Sequence, residues 1–471
     1  MTHDRLSSTK DEIIYSVTPN QLSLQLRGKF PRKQEMIMAT TATLASRSIE
    51  EMGVRRSLLE DLSLKTLYLV GEMSHPELAR HMGLNPGLVE VLLQRLRKEQ
   101  LCQVTGMAGG IHPIVNTTSA GKSRALELLA HNQYAGPAPV SLSDYVNHIH
   151  AQSVRSIEVT PADVKRAFEH LVLDPQTLDQ LGTAVLSGRA IFLYGPSGTG
   201  KTTIAETLTR LFYDEPIWVP YALEIDGEII TVYDAVVHQK MEQPSASNHD
   251  GRWVLCRRPH VLVGGELTIE MLDLQFNPST KFYTGPVQMK ANNGILIVDD
   301  FGRQRVSPEE LLNRWVVPLD RRIDFLTLAG GKKIEIPFDL LVVFATNLDP
   351  ARMVDEAFLR RIHTKIKVDF ITPEQFHEIF RRVCVQSNLP YDAAVVDELI
   401  RMIGQEYNEP LRACYPRDIV GHITSGARYL QKEPRLESEA VAQACRNYFL
   451  SPTQKLSDRK LPPGLGSHSA K

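Results

Sequence analysis

The stretch Gly195-Pro196-Ser197-Gly198-Thr199-Gly200-Lys201-Thr202 most narrows what this chain can fold into. It fits the spacing G-x-x-x-x-G-K-[ST] of a phosphate-binding loop. Its flanks matter as much as its letters. Ala190-Ile191-Phe192-Leu193-Tyr194 is an apolar run of strand length. Thr203 to Leu211 places apolar residues at 204, 208 and 211, the spacing of one helix face. Strand, glycine loop, helix is the order the chemistry requires. Three glycines let the backbone curl around a phosphate chain, and the N–H groups at the helix start face the anion. Gly195, Pro196, Ser197, Gly198, Thr199, Gly200, Lys201, Thr202 and Thr203 are therefore the candidate cradle. Lys201 would reach the terminal phosphates and the Thr202 hydroxyl would bind Mg2+.

Two further segments have the form that such a loop needs beside it. Ile295-Leu296-Ile297-Val298-Asp299-Asp300 is four apolar residues followed by two acids. A buried strand of this kind delivers carboxylates to a phosphate site. Asp299 would hold the metal, and Asp300 would orient and deprotonate an attacking water. An aspartate is one methylene shorter than a glutamate at the second position, which implies slow hydrolysis or a bridging water. Leu340-Leu341-Val342-Val343-Phe344-Ala345-Thr346-Asn347 is another continuous apolar run with a polar tip, the pattern of a central parallel strand.

Taken together, these motifs resemble an AAA+ ATPase over about residues 165–450. The resemblance implies an α/β core with a parallel sheet over 161–370 and a helical lid over 371–450, with ATP and Mg2+ between them. It implies that Asn347 positions the attacking water as the first sensor. Phe358-Leu359-Arg360-Arg361-Ile362 is similar to the arginine-finger segment, so Arg360 or Arg361 would reach a neighbouring subunit's nucleotide. Tyr415-Pro416-Arg417-Asp418-Ile419 is similar to the second sensor, with Arg417 turned toward the γ-phosphate. A finger supplied in trans implies a homo-oligomeric ring, taken as a hexamer. In the wider family, adenine packs on a segment just upstream of the loop, and Leu171-Val172-Leu173 is in that place.

The group within the family can be narrowed. Asp324 to Leu328 and Lys333 to Phe338, joined through Ala329-Gly330-Gly331, form a hairpin pattern before the Asn347 strand. This resembles the pre-sensor-1 hairpin. Gly285-Pro286 and Asp299-Asp300-Phe301-Gly302-Arg303 are similar to MoxR-type ATPases, which implies remodelling of a protein partner. Tyr283 beside Gly285 is a candidate aromatic for a polypeptide-gripping loop.

Upstream, residues 53–135 have their own plan. A leucine-rich helical stretch runs from Ser57 to Val70. Ser74 and Glu77 form a capping box, and Gly83-Leu84-Asn85 is a turn. Pro86 to Gln100 carries Leu88, Leu92, Leu93 and Leu96 on one face. Two short strands flank Gly106 to Gly110, and a helix covers Ser123 to Ala130. The plan resembles a winged helix. Arg95, Arg97 and Lys98 stand against Glu90 and Glu99, a weak basic surplus that leaves DNA contact and protein docking both open. Residues 1–52 read as a partly disordered leader, 136–160 as a linker marked by Gly136-Pro137-Ala138-Pro139, and 451–471 as a disordered tail.

Composition adds exclusions. A net charge of −2 gives no global field toward nucleic acid or membrane. No apolar run approaches the ~18 residues of a membrane span, and the first residues lack a signal-peptide core. The five cysteines are scattered, without metal spacing, as expected in a reducing cytoplasm.

Overall fold

The computed structural model describes residues 48–213, 215–242, 249–350 and 360–450. The expected leader up to residue 47, the tail from 451, and Phe358 and Leu359 lie outside the described residues.

The N-terminal module runs α1 (Arg56–Val70), β1 (Met73–Ser74), α2 (His75–Met82), α3 (Pro86–Lys98), β2 (Cys102–Ala108), β3 (His112–Thr117) and α4 (Ser119–His131). The strands pair antiparallel in the order β1-β3-β2. The starts of α2 and α3 have local causes. A Glu77 carboxylate oxygen accepts from the Ser74 N–H at 2.8 Å, and the Asn85 side chain accepts from the Gly87 N–H at 2.9 Å. Gly83 ends α2 with φ of +67°, a left-handed cap. Leu88, Leu92, Leu93 and Leu96 are buried, as their spacing predicts.

The segment expected as a linker carries structure. Val140 and Ser141 form β4, and Leu142–Ala151 is α5, which buries Tyr145 and Ile149. Next come α6 (Pro161–Ala167), α7 (Pro175–Ser187), β5 (Ile191–Tyr194) and α8 (Lys201–Leu208). An insertion follows, holding β6 (Ile217–Pro220), β7 (Ala222–Ile225), β8 (Glu228–Thr231) and β9 (Trp253–Cys256). The β7–β8 turn is Asp226-Gly227, with φ of 54° and 92°, the positive pair that such hairpins favour. Beyond lie β10 (His260–Val263), β11 (Gln275–Asn277), β12 (Phe282–Thr284), α9 (Val287–Lys290) and β13 (Ile295–Val298). The core closes with α10 (Pro308–Arg321), β14 (Ile323–Thr327), β15 (Lys333–Pro337), β16 (Leu341–Thr346) and β17 (Thr364–Lys367). The lid is α11 (Pro373–Gln386), α12 (Ala393–Arg401), α13 (Tyr415–Tyr429) and α14 (Ser438–Tyr448).

The central sheet has the order β10-β13-β16-β5-β17, with every pairing parallel. Alternation along the strands divides two cores. Ile191, Leu193, Ile295, Ile297, Leu341 and Val343 face α6, α7 and α8. Phe192, Leu296, Val298, Val342 and Phe344 face Trp315 on α10. Both faces are covered, so the central strands β5, β13 and β16 read as apolar runs.

A second, mixed sheet, β11-β12-β8-β7-β4, lies on the N-terminal side. It shares a core with the module: Ala222 and Ile229 are buried among Leu59, Leu62, Met82 and Leu92, with Phe282 packed against them. The module is therefore fused to the insertion. At one contact a Cβ placed on Gly83 would lie 2.4 Å from the Gly251 carbonyl oxygen, a closeness only glycine allows. Tyr283 takes part in this sheet. It is 3% exposed, and its hydroxyl accepts from the Ala329 N–H at 2.9 Å. That corrects the gripping-loop reading: Tyr283 is a core aromatic that holds the turn of the β14–β15 hairpin.

Candidate functional site

The carboxyl ends of β5, β13 and β16 meet at one place. Registers pair Thr346 with Tyr194 and Val298 with Phe344. Asn347, Gly195 and Asp299 thus leave the sheet from adjoining strand ends. Gly195, Gly198 and Gly200 have φ of 142°, 78° and 96°, conformations that side chains resist. A Cβ on Gly195 would meet the Val368 carbonyl oxygen at 2.2 Å.

Lys201 opens α8 and is 8% exposed. Its Nζ donates to the Pro196 carbonyl at 2.6 Å, closing the loop on itself. Burial pushes the Lys201 ammonium below its ordinary pKa, and the charges of Asp299 and Asp300 pull it back. The Thr202 hydroxyl donates to both Asp299 carboxylate oxygens, each at 3.0 Å. Thr203 points to solvent on α8.

Asp299 is held on three sides. Its N–H donates to the Val263 carbonyl at 2.8 Å, its carbonyl accepts from Gln304 Nε2 at 2.7 Å, and its carboxylate accepts the Asp300 N–H at 2.9 Å. Asp300 is exposed, with φ of 47°, a strained left-handed turn at the strand end. Gln304 braces this turn, accepting from the Gly302 N–H at 2.8 Å. The Oδ1 of Asn347 is buried with no hydrogen-bond partner among the described residues. A buried acceptor left open at a glycine-loop site marks a position for an incoming donor.

The arginines stand apart from this cluster. Arg361 Nε is 2.9 Å from Asp320 at the end of α10, and Arg360 is exposed. Arg417 has a 79% exposed side chain, with its neighbour Asp418 at 3.6 Å. The lid instead meets the loop through Arg412 and Cys414. The Cys414 N–H donates to the Gly198 carbonyl at 3.1 Å, and Arg412 Nη1 donates to the Ser197 carbonyl at 3.3 Å. Nothing in the local pattern Glu409-Pro410-Leu411-Arg412 marks this contact, which joins residues 215 apart.

The residues fit a nucleoside triphosphate with its Mg2+. Positive-φ glycines, a buried ammonium, a hydroxyl beside a carboxylate and an open buried acceptor are the donor set such a group needs.

The parallel sheet, the glycine loop between β5 and α8, and the four C-terminal helices define an α/β P-loop core followed by a helical lid. The lid, residues 372–447, matches a domain of unknown function, DUF8689. No curated protein sequence matches the chain. Among solved structures, NtrX from Brucella abortus in complex with ADP is similar at 14% identity and a TM-score of 0.38, covering 64% of this chain and 62% of that one. The chain thus spans less than two thirds of NtrX. A RuvB P216G mutant from Thermotoga maritima is similar at 13% identity and a TM-score of 0.33, covering 63% of this chain and 72% of that one. Among the described residues no helix is long and apolar enough to cross a membrane.

Proposed function

We propose that this chain binds ATP with Mg2+ and hydrolyses it as a ring-forming AAA+ protein, and that the N-terminal module docks a protein partner for remodelling. One observation carries the nucleotide reading: the Thr202 hydroxyl lies 3.0 Å from both oxygens of Asp299, directly after the glycine loop. A hydroxyl and a carboxylate so placed are the two protein ligands of a phosphate-bound Mg2+.

The roles follow from position. The loop amides and Lys201 bind the phosphate chain, while Thr202 and Asp299 orient the metal. Bound ATP would supply the γ-phosphoryl group, and ADP would leave as the bond between the γ-phosphorus and the β–γ bridging oxygen breaks. Asp300 takes the proton from water, and Asn347 offers its open side chain to place that water. In a ring, Arg360 or Arg361 reaches the adjacent subunit's site, and Arg417 turns in from the lid. The test is ATP hydrolysis with Mg2+ against the same assay in EDTA. Turnover that persists without a divalent cation would remove the roles of Thr202 and Asp299.

Asp300 supports a second reading, a slow ATP-dependent switch. Its side chain is short and its backbone is strained at φ of 47°. Asp300→Glu should raise turnover at least tenfold if reach is limiting; an unchanged rate removes this reading.

The choice of a protein over DNA rests on α3. Arg95 lies 3.1 Å from Glu99 and 3.4 Å from Glu60, and Arg97 lies 2.8 Å from Glu90. Meanwhile the β2–β3 hairpin exposes Val104, Met107 and Ile111, the last at 75%. Paired cations beside open apolar side chains suit a polypeptide surface better than a phosphate backbone. The runner-up reading is a DNA-binding regulator or DNA-processing motor. Salt-dependent DNA binding by the full chain would reinstate it.

A further inference from the structure

The phosphate loop is held from outside at its carbonyls, and two of the holds come from the lid. The Ser197 carbonyl accepts from Arg412 Nη1 at 3.3 Å, and the Gly198 carbonyl accepts from the Cys414 N–H at 3.1 Å. The preceding Pro196 carbonyl is held within the loop, by Lys201 Nζ at 2.6 Å and Thr199 Oγ1 at 2.9 Å. In a trans peptide the C=O and the following N–H point in opposite directions. Holding a carbonyl therefore fixes the direction of the next amide. The lid bonds set the N–H groups of Gly198 and Thr199, both members of the cradle. Gly198, at φ of +78°, has no side chain to fix its own conformation, so an outside partner decides it.

Arg412 is built for this place. Its Nη2 is 3.1 Å from Glu409, and its guanidinium carbon lies 5.8 Å from the ring centres of both Phe370 and Tyr415. Its Nε is buried without a hydrogen-bond partner among the described residues. The lid also grips the chain upstream of the loop, where Arg382 Nη1 donates to the Glu169 carbonyl at 2.7 Å and the Leu171 carbonyl at 3.3 Å.

We propose that Arg412 is a positioning residue through which the lid sets the affinity of the loop for a polyphosphate. With the lid seated, the Gly198 and Thr199 amides are already turned for phosphate. With the lid away, that order must be formed on binding. Linkage then requires the reverse: a bound polyphosphate holds the lid down. This rests on the nucleotide reading and deepens it.

The experiment measures binding of ADP, inorganic pyrophosphate and adenosine by the full chain. Arg412→Ala should weaken ADP and pyrophosphate about tenfold and leave adenosine unchanged. Arg412→Lys, still a cationic donor, should recover part of the loss. Lys201→Ala is the reference, which should weaken polyphosphate binding about a hundredfold. If Lys201→Ala weakens ADP binding while Arg412→Ala binds ADP as the unaltered protein does, the inference is overturned and the nucleotide reading stands. Equal weakening of adenosine would also overturn it, because a disturbed lid does not discriminate. If the unaltered chain binds no ADP, the nucleotide reading fails and this inference falls with it. Should Arg412→Ala not fold, Gly198→Ala carries the test. Its Cβ would lie 2.7 Å from Cys414 Sγ and 3.4 Å from Arg412 Cδ, wedging the lid from the loop. It should weaken pyrophosphate and spare adenosine, and unweakened pyrophosphate binding overturns the inference.

Discussion

The carboxyl end of the core sheet and helix α3 of the N-terminal module both gather charge, and they handle it in opposite ways. At the core, Lys201 is buried against a backbone carbonyl, Asn347 Oδ1 has no partner among the described residues, and Asp300 sits at a strained φ. On α3, Arg95 and Arg97 are closed off by Glu60, Glu90 and Glu99. A place with unmet polar groups is prepared for something that supplies them. A surface with its charges already matched is not. The difference separates a ligand site from a surface whose open resource is apolar.

The largest effect should come from the core. Lys201→Ala removes the one buried cation of the loop. A hydrogen bond to a charged group is worth roughly 1.5–3 kcal/mol, so affinity for ADP should fall about a hundredfold. Calorimetric titration checks this. Tight binding by the variant would break the comparison at its stronger end.

The core was legible because its signals are local. The loop motif, the acid pair after Ile295–Val298 and the polar tip at Asn347 each lie within eight residues or fewer, and parallel strands buried on both faces announce themselves as apolar runs. The lid contact was not legible. Arg412 meets Ser197 across 215 positions, and only lid docking brings them together. Tyr283 misled for a related reason. An aromatic next to Thr284 and Gly285 looks the same in a loop and in a short strand, and its burial depends on β8 and Ala329, which are distant in sequence. In residues 136–160 the breakers Gly136, Pro137 and Pro139 dominate the local pattern. Yet Val140 pairs in parallel with Leu223, a contact no local pattern signals.

The fusion of module to core is the next point to test. Gly83→Ala puts a methyl group 2.4 Å from the Gly251 carbonyl oxygen, at a φ of +67°. Overpacking of this kind costs about 1–3 kcal/mol, to which the left-handed backbone adds. Denaturant unfolding should show a loss of about 2–4 kcal/mol. A variant as stable as the parent would mean that the module is not packed on the insertion.

The module carries one buried cation of its own, and it sharpens the contrast through pH. Lys65 on α1 is 5% exposed and donates to the Asn132 carbonyl at 3.0 Å. Burial pushes its ammonium down to about 8, with Asp61 acting weakly the other way. The folded value lies below the unfolded one of about 10.4, so the unfolded chain binds more protons between these limits. Lys65 therefore costs stability below pH 8, and that cost fades as pH rises toward about 10.4. Lys65→Met should stabilise the protein at pH 7 by about 1–2 kcal/mol, after allowing for the lost hydrogen bond. The gain over the parent should shrink by pH 10. Taking the difference between variant and parent cancels the cysteines and tyrosines that titrate in the same range. A gain that grows with pH would reverse the assignment.

The smallest effects belong to α3. Exposed ion pairs contribute about 0–1 kcal/mol each, so Arg95→Ala and Arg97→Ala should barely alter stability. Their use lies in what the reverse changes release. Glu60→Gln with Glu90→Gln and Glu99→Gln frees both arginines of the carboxylates that hold them. If α3 were a nucleic-acid reader held in check, the freed guanidinium groups would add phosphate contacts, and DNA binding would appear at low salt and fall steeply as salt rises. If the module docks a polypeptide through Val104, Met107 and Ile111, the triple variant should bind DNA no better than the parent at any salt. Charge at Ile111 is then the disruptive change: Ile111→Glu should abolish partner capture without altering ATP turnover.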